Sequence, residues 1–95
     1  MLIEIYGRQD CERCSQSKKK VDVLVNRKWK LGDGVQLAFQ DMESVDGAAI
    51  GAFFDVKDIP TTVVREGYAV VARWDGVHPE EDKLRSILQP ETAQA

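Results

Sequence analysis

Cys11 and Cys14 are the only cysteines of this 95-residue chain, and just Glu12 and Arg13 separate them. Thiols at this spacing can exchange a disulfide with another protein, because one thiol attacks and the second, one helical turn away, resolves the mixed disulfide. A closed zinc site needs a tetrahedral set of protein ligands, and the chain offers only His78 besides the cysteines. The residue types therefore favour a redox pair.

Length and charge limit the function classes. A chain of 95 residues that is 43% hydrophobic can bury one core, so we expect a single domain over residues 1–88 and a flexible tail over residues 89–95. The net charge of −3 argues against a nucleic-acid partner. The N-terminus lacks a signal-peptide pattern and no apolar run is long enough for a membrane, so we expect a cytoplasmic protein with no membrane partner.

The hydrophobic pattern predicts the element order βαβαββα. Strands are expected where apolar residues alternate with polar ones or where β-branched residues cluster, and helices where apolar residues return at helical spacing. The predicted strands cover residues 2–6, 35–40, 61–64 and 69–74, and the predicted helices cover residues 11–29, 46–54 and 79–88, the last with Pro79 at a first helical position. The expected fold is α/β, with a mixed four-stranded sheet flanked by three helices.

This order places Cys11 at the junction of the first strand and the first helix. A free thiol with a pKa of about 8.5 is mostly protonated at neutral pH. The N–H groups and dipole at a helix N-terminus favour the thiolate, and Arg8 adds a cation nearby, whereas Asp10 and Glu12 oppose the effect. We therefore predict a moderately lowered pKa for Cys11, which would be the nucleophile, with Cys14 as the resolving thiol.

Three stretches resemble known redox proteins. Residues 5–14 resemble the opening of the glutaredoxins, with an aromatic residue and a basic residue at the expected positions before the first cysteine. Ile59-Pro60-Thr61 is similar to the cis-proline motif that glutaredoxins share with thioredoxins. Residues 74–79 are similar to the Trp-Ser-Gly-Phe-Arg-Pro stretch of the glutaredoxin-like redoxins that supply electrons to ribonucleotide reductase.

The resemblance implies a thioredoxin-like fold of glutaredoxin size and a function. The protein would be a thiol–disulfide oxidoreductase that reduces disulfide-containing proteins as a monomer, with no cofactor and no metal. In the ribonucleotide-reductase type of redoxin the reductant is thioredoxin reductase, so we expect a reductase of that type here. Trp74 fits the hairpin core and the substrate groove equally well. The substrate-binding residues implied are Arg8, Glu12, Arg13, Ile59, Pro60, Thr61, Trp74 and Gly76.

Two other uses of the fold remain open. Glutathione-dependent glutaredoxins hold glutathione with a Gly-Gly-x-Asp-Asp stretch, of which residues 75–79 keep only Gly76, and Pro79 also removes an N–H. Glutathione is therefore the less favoured reductant. The second alternative is an iron–sulfur carrier or adaptor, in which a dimer shares a cluster. Thioredoxins carry a buried acid six positions before the nucleophile; here that position is Ile5, so no buried proton acceptor is expected.

Overall fold

A computed structural model describes residues 1–89 of the chain, and its elements follow the predicted order. Most of the predicted tail, from residue 90 onward, lies outside the described residues. The α-helices and strands are β1 (Leu2–Gly7), α1 (Glu12–Asp22), β2 (Gln36–Asp41), α2 (Val45–Phe53), β3 (Thr61–Glu66), β4 (Ala69–Asp75) and α3 (Glu81–Leu88). A π-helical segment, Val23–Lys28, continues α1, and a short 3-10 turn, Gly32–Gly34, precedes β2.

The four strands form one mixed sheet in the order β2-β1-β3-β4. Strand β1 pairs in parallel with β2, as a strand–helix–strand unit requires, and antiparallel with β3. Strands β3 and β4 form the antiparallel hairpin. The predicted fold class is therefore confirmed. Because β1 lies inside the sheet and ends at Gly7, the segment that carries the cysteines begins at the end of an interior strand.

Each face of the sheet has its own hydrophobic cluster. Ile3 and Ile5 of β1 point to the face covered by α1 and α3, where the cluster includes Val21, Leu24, Val25, Val64, Trp74 and Leu84. Tyr6, on the other face of β1, packs in the cluster formed with Phe54, Val56 and Val63. This alternation follows from the two-residue period of a strand. The face of β1 that carries Ile3 and Ile5 is therefore the apolar surface on which α1, the helix next to the cysteines, packs.

Glu4 is a buried acid that the sequence did not predict. Its side chain is only 1% exposed and accepts hydrogen bonds from Tyr6 Oη (2.9 Å), Gln40 Nε2 (2.8 Å) and Arg65 Nε (2.6 Å). Burial raises the pKa of Glu4, but these hydrogen bonds and the charge of Arg65 outweigh burial and hold that pKa below its ordinary value. The ionised carboxylate thus ties together β1, β2 and β3. It lies on the face of β1 opposite Ile5 and α1.

The first and last helices differ from their predicted bounds, the first at its C-terminal end and α3 at its N-terminal end. The first helix does not stay α-helical to Trp29, because the chain adopts π geometry from Val23 and the Trp29 N–H bonds to the Leu24 carbonyl at 2.8 Å. Pro79 is not at a first helical position of α3: Glu80 is still extended (φ −74°, ψ 127°), so the helix begins at the following residue. Within residues 1–89, no helix combines the length and apolar character needed to cross a membrane.

Candidate redox site

Cys11 and Cys14 form a disulfide at the start of α1, with their Cα atoms 5.2 Å apart. Cys11 is the N-cap residue of the helix, with extended backbone angles (φ −95°, ψ 113°). Its Sγ accepts a hydrogen bond from the backbone N–H of Cys14 at 3.1 Å. Cys14 is fully buried, whereas Cys11 is partly exposed. The two sulfur atoms therefore differ in their access to a partner.

The position of Cys11 favours a thiolate once the disulfide is reduced. N-caps are usually Ser, Thr, Asp or Asn, whose oxygen atoms satisfy an unpaired N–H of the first turn. Here the sulfur takes that place, and a negative sulfur accepts such a bond more strongly than a neutral one. The positive end of the helix dipole adds to this preference. Among residues 1–89, no group of three or more His, Cys, Asp or Glu side chains is placed to hold a metal ion.

Gly7, the last residue of β1, lies directly against Cys14. A Cβ atom added at Gly7 would be 2.6 Å from Sγ and 2.7 Å from Cβ of Cys14, which is too close for any side chain. Gly7 was not among the predicted site residues. A glycine that ends an apolar strand just before the redox loop is the signal that could have found it, because such glycines often mark a close approach.

Gly76 connects α1 to the loop of Pro60. Its N–H donates to the Pro60 carbonyl at 2.9 Å, and its own carbonyl accepts a hydrogen bond from Arg13 Nη2 at 2.5 Å. Its φ of +73° favours glycine, and an added Cβ would also make a tight contact, 3.3 Å, with Asp58 Cβ. The Ile59–Pro60 peptide bond is cis. Three predicted site residues, Arg13, Pro60 and Gly76, are thus brought together.

Two more side chains of α1 form hydrogen bonds with the loop that follows β4 and begins at Gly76. The fully buried Ser17 forms a hydrogen bond with Nδ1 of His78, and Lys20 Nζ donates to the Pro79 carbonyl at 2.9 Å. Positions 13, 17 and 20 lie on one face of a helix, so α1 holds the loop along much of its length. Ser17 and Lys20 were not among the predicted site residues.

The remaining predicted residues of β3, β4 and the proline loop are mostly buried. Thr61 is fully buried and its Oγ1 donates to the Asp58 carbonyl at 2.5 Å. Trp74 is 9% exposed and belongs to the core cluster, which favours the packing role over a border of the substrate groove. The Pro60 side chain is fully buried, and Ile59 is half-buried. Apart from Ile59, these side chains therefore offer little exposed surface.

Arg8 and Glu12 lie on the exposed side of the redox pair. Arg8 Nε is 3.8 Å from a carboxylate oxygen of Asp10, and both side chains are largely exposed. Such a surface pair contributes little to stability, so Arg8 can turn to another anion at small cost. Glu12 is exposed in the first turn of α1. Their contacts with a substrate stay predictions.

Several solved structures share this architecture. Thioredoxin 1 from Thermosipho africanus is 14% identical over 99% of this chain and 98% of its own, with a TM-score of 0.72. Thioredoxin-2 of a malaria parasite, described as a component of its protein secretion machinery, is 18% identical over 95% of this chain and 82% of its own, with a TM-score of 0.74. Fasciola hepatica thioredoxin is 25% identical over 94% and 78%, with a TM-score of 0.67.

These likenesses show that the chain has the thioredoxin fold. No protein-family model and no curated protein matches the sequence. Three-dimensional structure therefore supports the resemblance at the level of the fold that glutaredoxins and thioredoxins share, whereas overall sequence similarity does not. The fold together with a bonded Cys-x-x-Cys pair supports a thiol–disulfide oxidoreductase in general.

Replacing Gly7 by alanine should disturb the redox pair, because the added methyl group would overlap the Cys14 side chain. We expect a loss of about 1–3 kcal/mol in the free energy of unfolding, as for other overpacked sites, and a slower reduction of a small disulfide by the dithiol form. Gly34→Ala is the matched control, since nothing lies within 4 Å of a Cβ added there. Urea unfolding and stopped-flow reduction measure the two effects. If Gly7→Ala and Gly34→Ala had the same stability and the same reduction rate, the close contact between Gly7 and Cys14 would be contradicted.

Proposed function

We propose that this thioredoxin-fold chain is a dithiol oxidoreductase that reduces disulfides in other proteins through Cys11 and Cys14. The observation that carries the proposal is the asymmetry of the pair. Cys11 is partly exposed, and its sulfur caps α1 and accepts a hydrogen bond from the Cys14 N–H at 3.1 Å, while Cys14 is fully buried. An accessible sulfur stabilised as an anion is a nucleophile, and a buried sulfur one turn away is a resolving group.

The reaction transfers one electron pair to the substrate. The Cys11 thiolate attacks one sulfur of the substrate disulfide, forms a mixed disulfide and releases the other sulfur as a thiolate, which takes up a proton. Cys14 then loses its proton and attacks Cys11 Sγ. This step forms the Cys11–Cys14 disulfide and releases the second substrate thiolate. The protein is now oxidised, and a separate reductant must return the pair to the dithiol.

The substrate would bind across the surface that surrounds Cys11. An extended segment would pair with the backbone at Ile59, in the manner of an added strand, because this residue lies just before β3 in the chain. Arg8, Glu12 and Arg13 are exposed around the pair and would contact the same segment. Thr61 and Trp74, which are buried, would support this surface from beneath.

For the reductant we propose a thioredoxin-reductase-type enzyme acting on a monomer in the cytoplasm. The loop that corresponds to the glutathione-binding stretch of glutaredoxins has its polar groups engaged within the protein. The Gly76 carbonyl accepts from Arg13, the Pro79 carbonyl accepts from Lys20, and His78 bonds to Ser17. These features make glutathione a poor donor.

Substituting the cysteines one at a time tests their roles. Cys11→Ser should abolish reduction of insulin or another protein disulfide, because the attacking thiolate is gone. Cys14→Ser should still attack but should accumulate mixed disulfides, since no internal thiol resolves them. Non-reducing electrophoresis and intact-mass measurement of each variant, incubated with an oxidised substrate, distinguish the outcomes. Mixed disulfides that form through Cys14 in the Cys11→Ser variant, and not through Cys11, would reverse the assignment.

The source of electrons can be measured directly by following NADPH. The oxidised protein should be reduced quickly by NADPH with a thioredoxin reductase, and at least about tenfold more slowly by NADPH with glutathione and glutathione reductase. A glutathione-dependent glutaredoxin and a thioredoxin serve as positive controls for the two systems. Rapid turnover with glutathione and none with thioredoxin reductase would show a glutaredoxin.

A further inference from the structure

A groove runs between α1 and β2 and reaches the loop that precedes Cys11. Its main part has a volume of about 580 Å³ and is lined by Ser15, Lys18, Lys19, Asp22, Asn26, Val35, Leu37 and Phe39. A smaller hollow of about 100 Å³ is lined by Arg8, Gln9, Ser15, Lys18 and Phe39. The two share three lining residues, so they form one channel from the loop before Cys11 along α1. We call this channel the α1–β2 groove.

The floor of the α1–β2 groove is apolar and uncovered. Val35, Leu37 and Phe39 alternate along β2 and its preceding residue, so their side chains lie on one face, and each is only half-buried. Strand β2 is at the edge of the sheet and, in the part of the chain that the structure describes, pairs only with β1. Nothing in residues 1–89 therefore closes the groove from the side of the sheet edge.

The rim of the groove is cationic. Lys18 Nζ lies 5.1 Å from the centroid of the Phe39 ring, and Lys19 is exposed beside it. Within the described chain neither ammonium group forms an ion pair with a carboxylate. Asp22 is the one acid among the lining residues, so the two lysines outnumber it. Positive charge is therefore available above an apolar floor.

We propose that the α1–β2 groove binds an extended segment of the substrate protein in which acidic and apolar residues alternate. In such a segment one set of side chains can reach the apolar floor while the other set pairs with Lys18 and Lys19. The chain as a whole is acidic, with a net charge of −3, so an acidic partner is repelled by most of the surface and guided to this cationic strip.

The dimensions of the groove fit a short segment. Its lining runs from Ser15 to Asn26 on the helix, a rise of about 16 Å, which accommodates roughly five residues of an extended strand. The proposal rests on the proposed reductase function, because the groove reaches Arg8 and Gln9 in the loop that precedes Cys11. It adds the class of substrate that the enzyme selects.

The test uses peptides that carry one cysteine blocked as a 2-pyridyl disulfide, next to an alternating Glu/Leu, Gln/Leu or Lys/Leu segment. Release of pyridine-2-thione from each peptide by the reduced protein is followed in single-turnover stopped flow. We expect the Glu/Leu peptide to react about tenfold faster than the Gln/Leu peptide at low ionic strength, and this advantage to shrink as salt is added. The Lys/Leu peptide should be the slowest.

Charge variants connect this preference to the groove. Lys18→Glu/Lys19→Glu should remove the Glu/Leu preference, and the milder Lys18→Gln/Lys19→Gln should reduce it. Lys83→Glu/Arg85→Glu, on the exposed side of α3, changes the net charge equally and should keep the preference. All three variants should reduce bis(2-hydroxyethyl) disulfide, a small neutral substrate, within about twofold of the unaltered protein.

The following results would contradict the proposal. If the groove variants and the α3 variant lost the Glu/Leu preference equally, net charge alone would explain that preference. A wild-type protein that showed no preference, or preferred the Lys/Leu peptide, would exclude an acidic occupant of the groove. Peptide-independent, concentration-dependent amide shifts along β2 in NMR spectra would assign the groove to a second copy of this chain. A wild-type protein that fails to reduce even the small neutral disulfide would instead contradict the reductase function itself.

Discussion

The hydrogen bond from the Cys14 N–H to Cys11 Sγ links the local structure of the site to its chemistry. It joins the N-cap of α1 to the third residue of the helix, which is the pairing that an N-cap side chain makes. The two-residue spacing of the cysteines therefore lets one sulfur cap the helix while the other is near enough to form a disulfide. Gly7 completes the arrangement, because only a residue without a side chain lets β1 end against Cys14.

Different sides of α1 contact different parts of the site. One side holds the loop that follows β4, through Arg13, Ser17 and Lys20, and Gly76 carries this connection on to Pro60. Another side forms the rim of the α1–β2 groove. The three consecutive lysines of α1 therefore have different surroundings: Lys20 donates a hydrogen bond to the loop, whereas Lys18 and Lys19 line the groove.

Local patterns predicted the element order, the parallel and antiparallel pairing, and the position of Cys11, because alternation and helical spacing report which side of each element is buried. They did not predict that Glu4 is buried. Its burial depends on Arg65, sixty-one residues away, and no local pattern contains that pairing. The contact of Gly7 with Cys14 and the burial of Trp74 are also products of tertiary packing. Helix α3 begins at Glu81 and not at the predicted Pro79, because the backbone at Glu80 is extended.

The central claim, that Cys11 is the stabilised and accessible thiolate, is tested most directly by alkylating the reduced protein over a range of pH. Iodoacetamide labelling, followed by peptide mass analysis, gives the rate for each cysteine separately. The capped helix terminus predicts that Cys11 reacts first and that its rate begins to rise at a lower pH than that of the buried Cys14. Faster or more acidic labelling of Cys14 would contradict the claim.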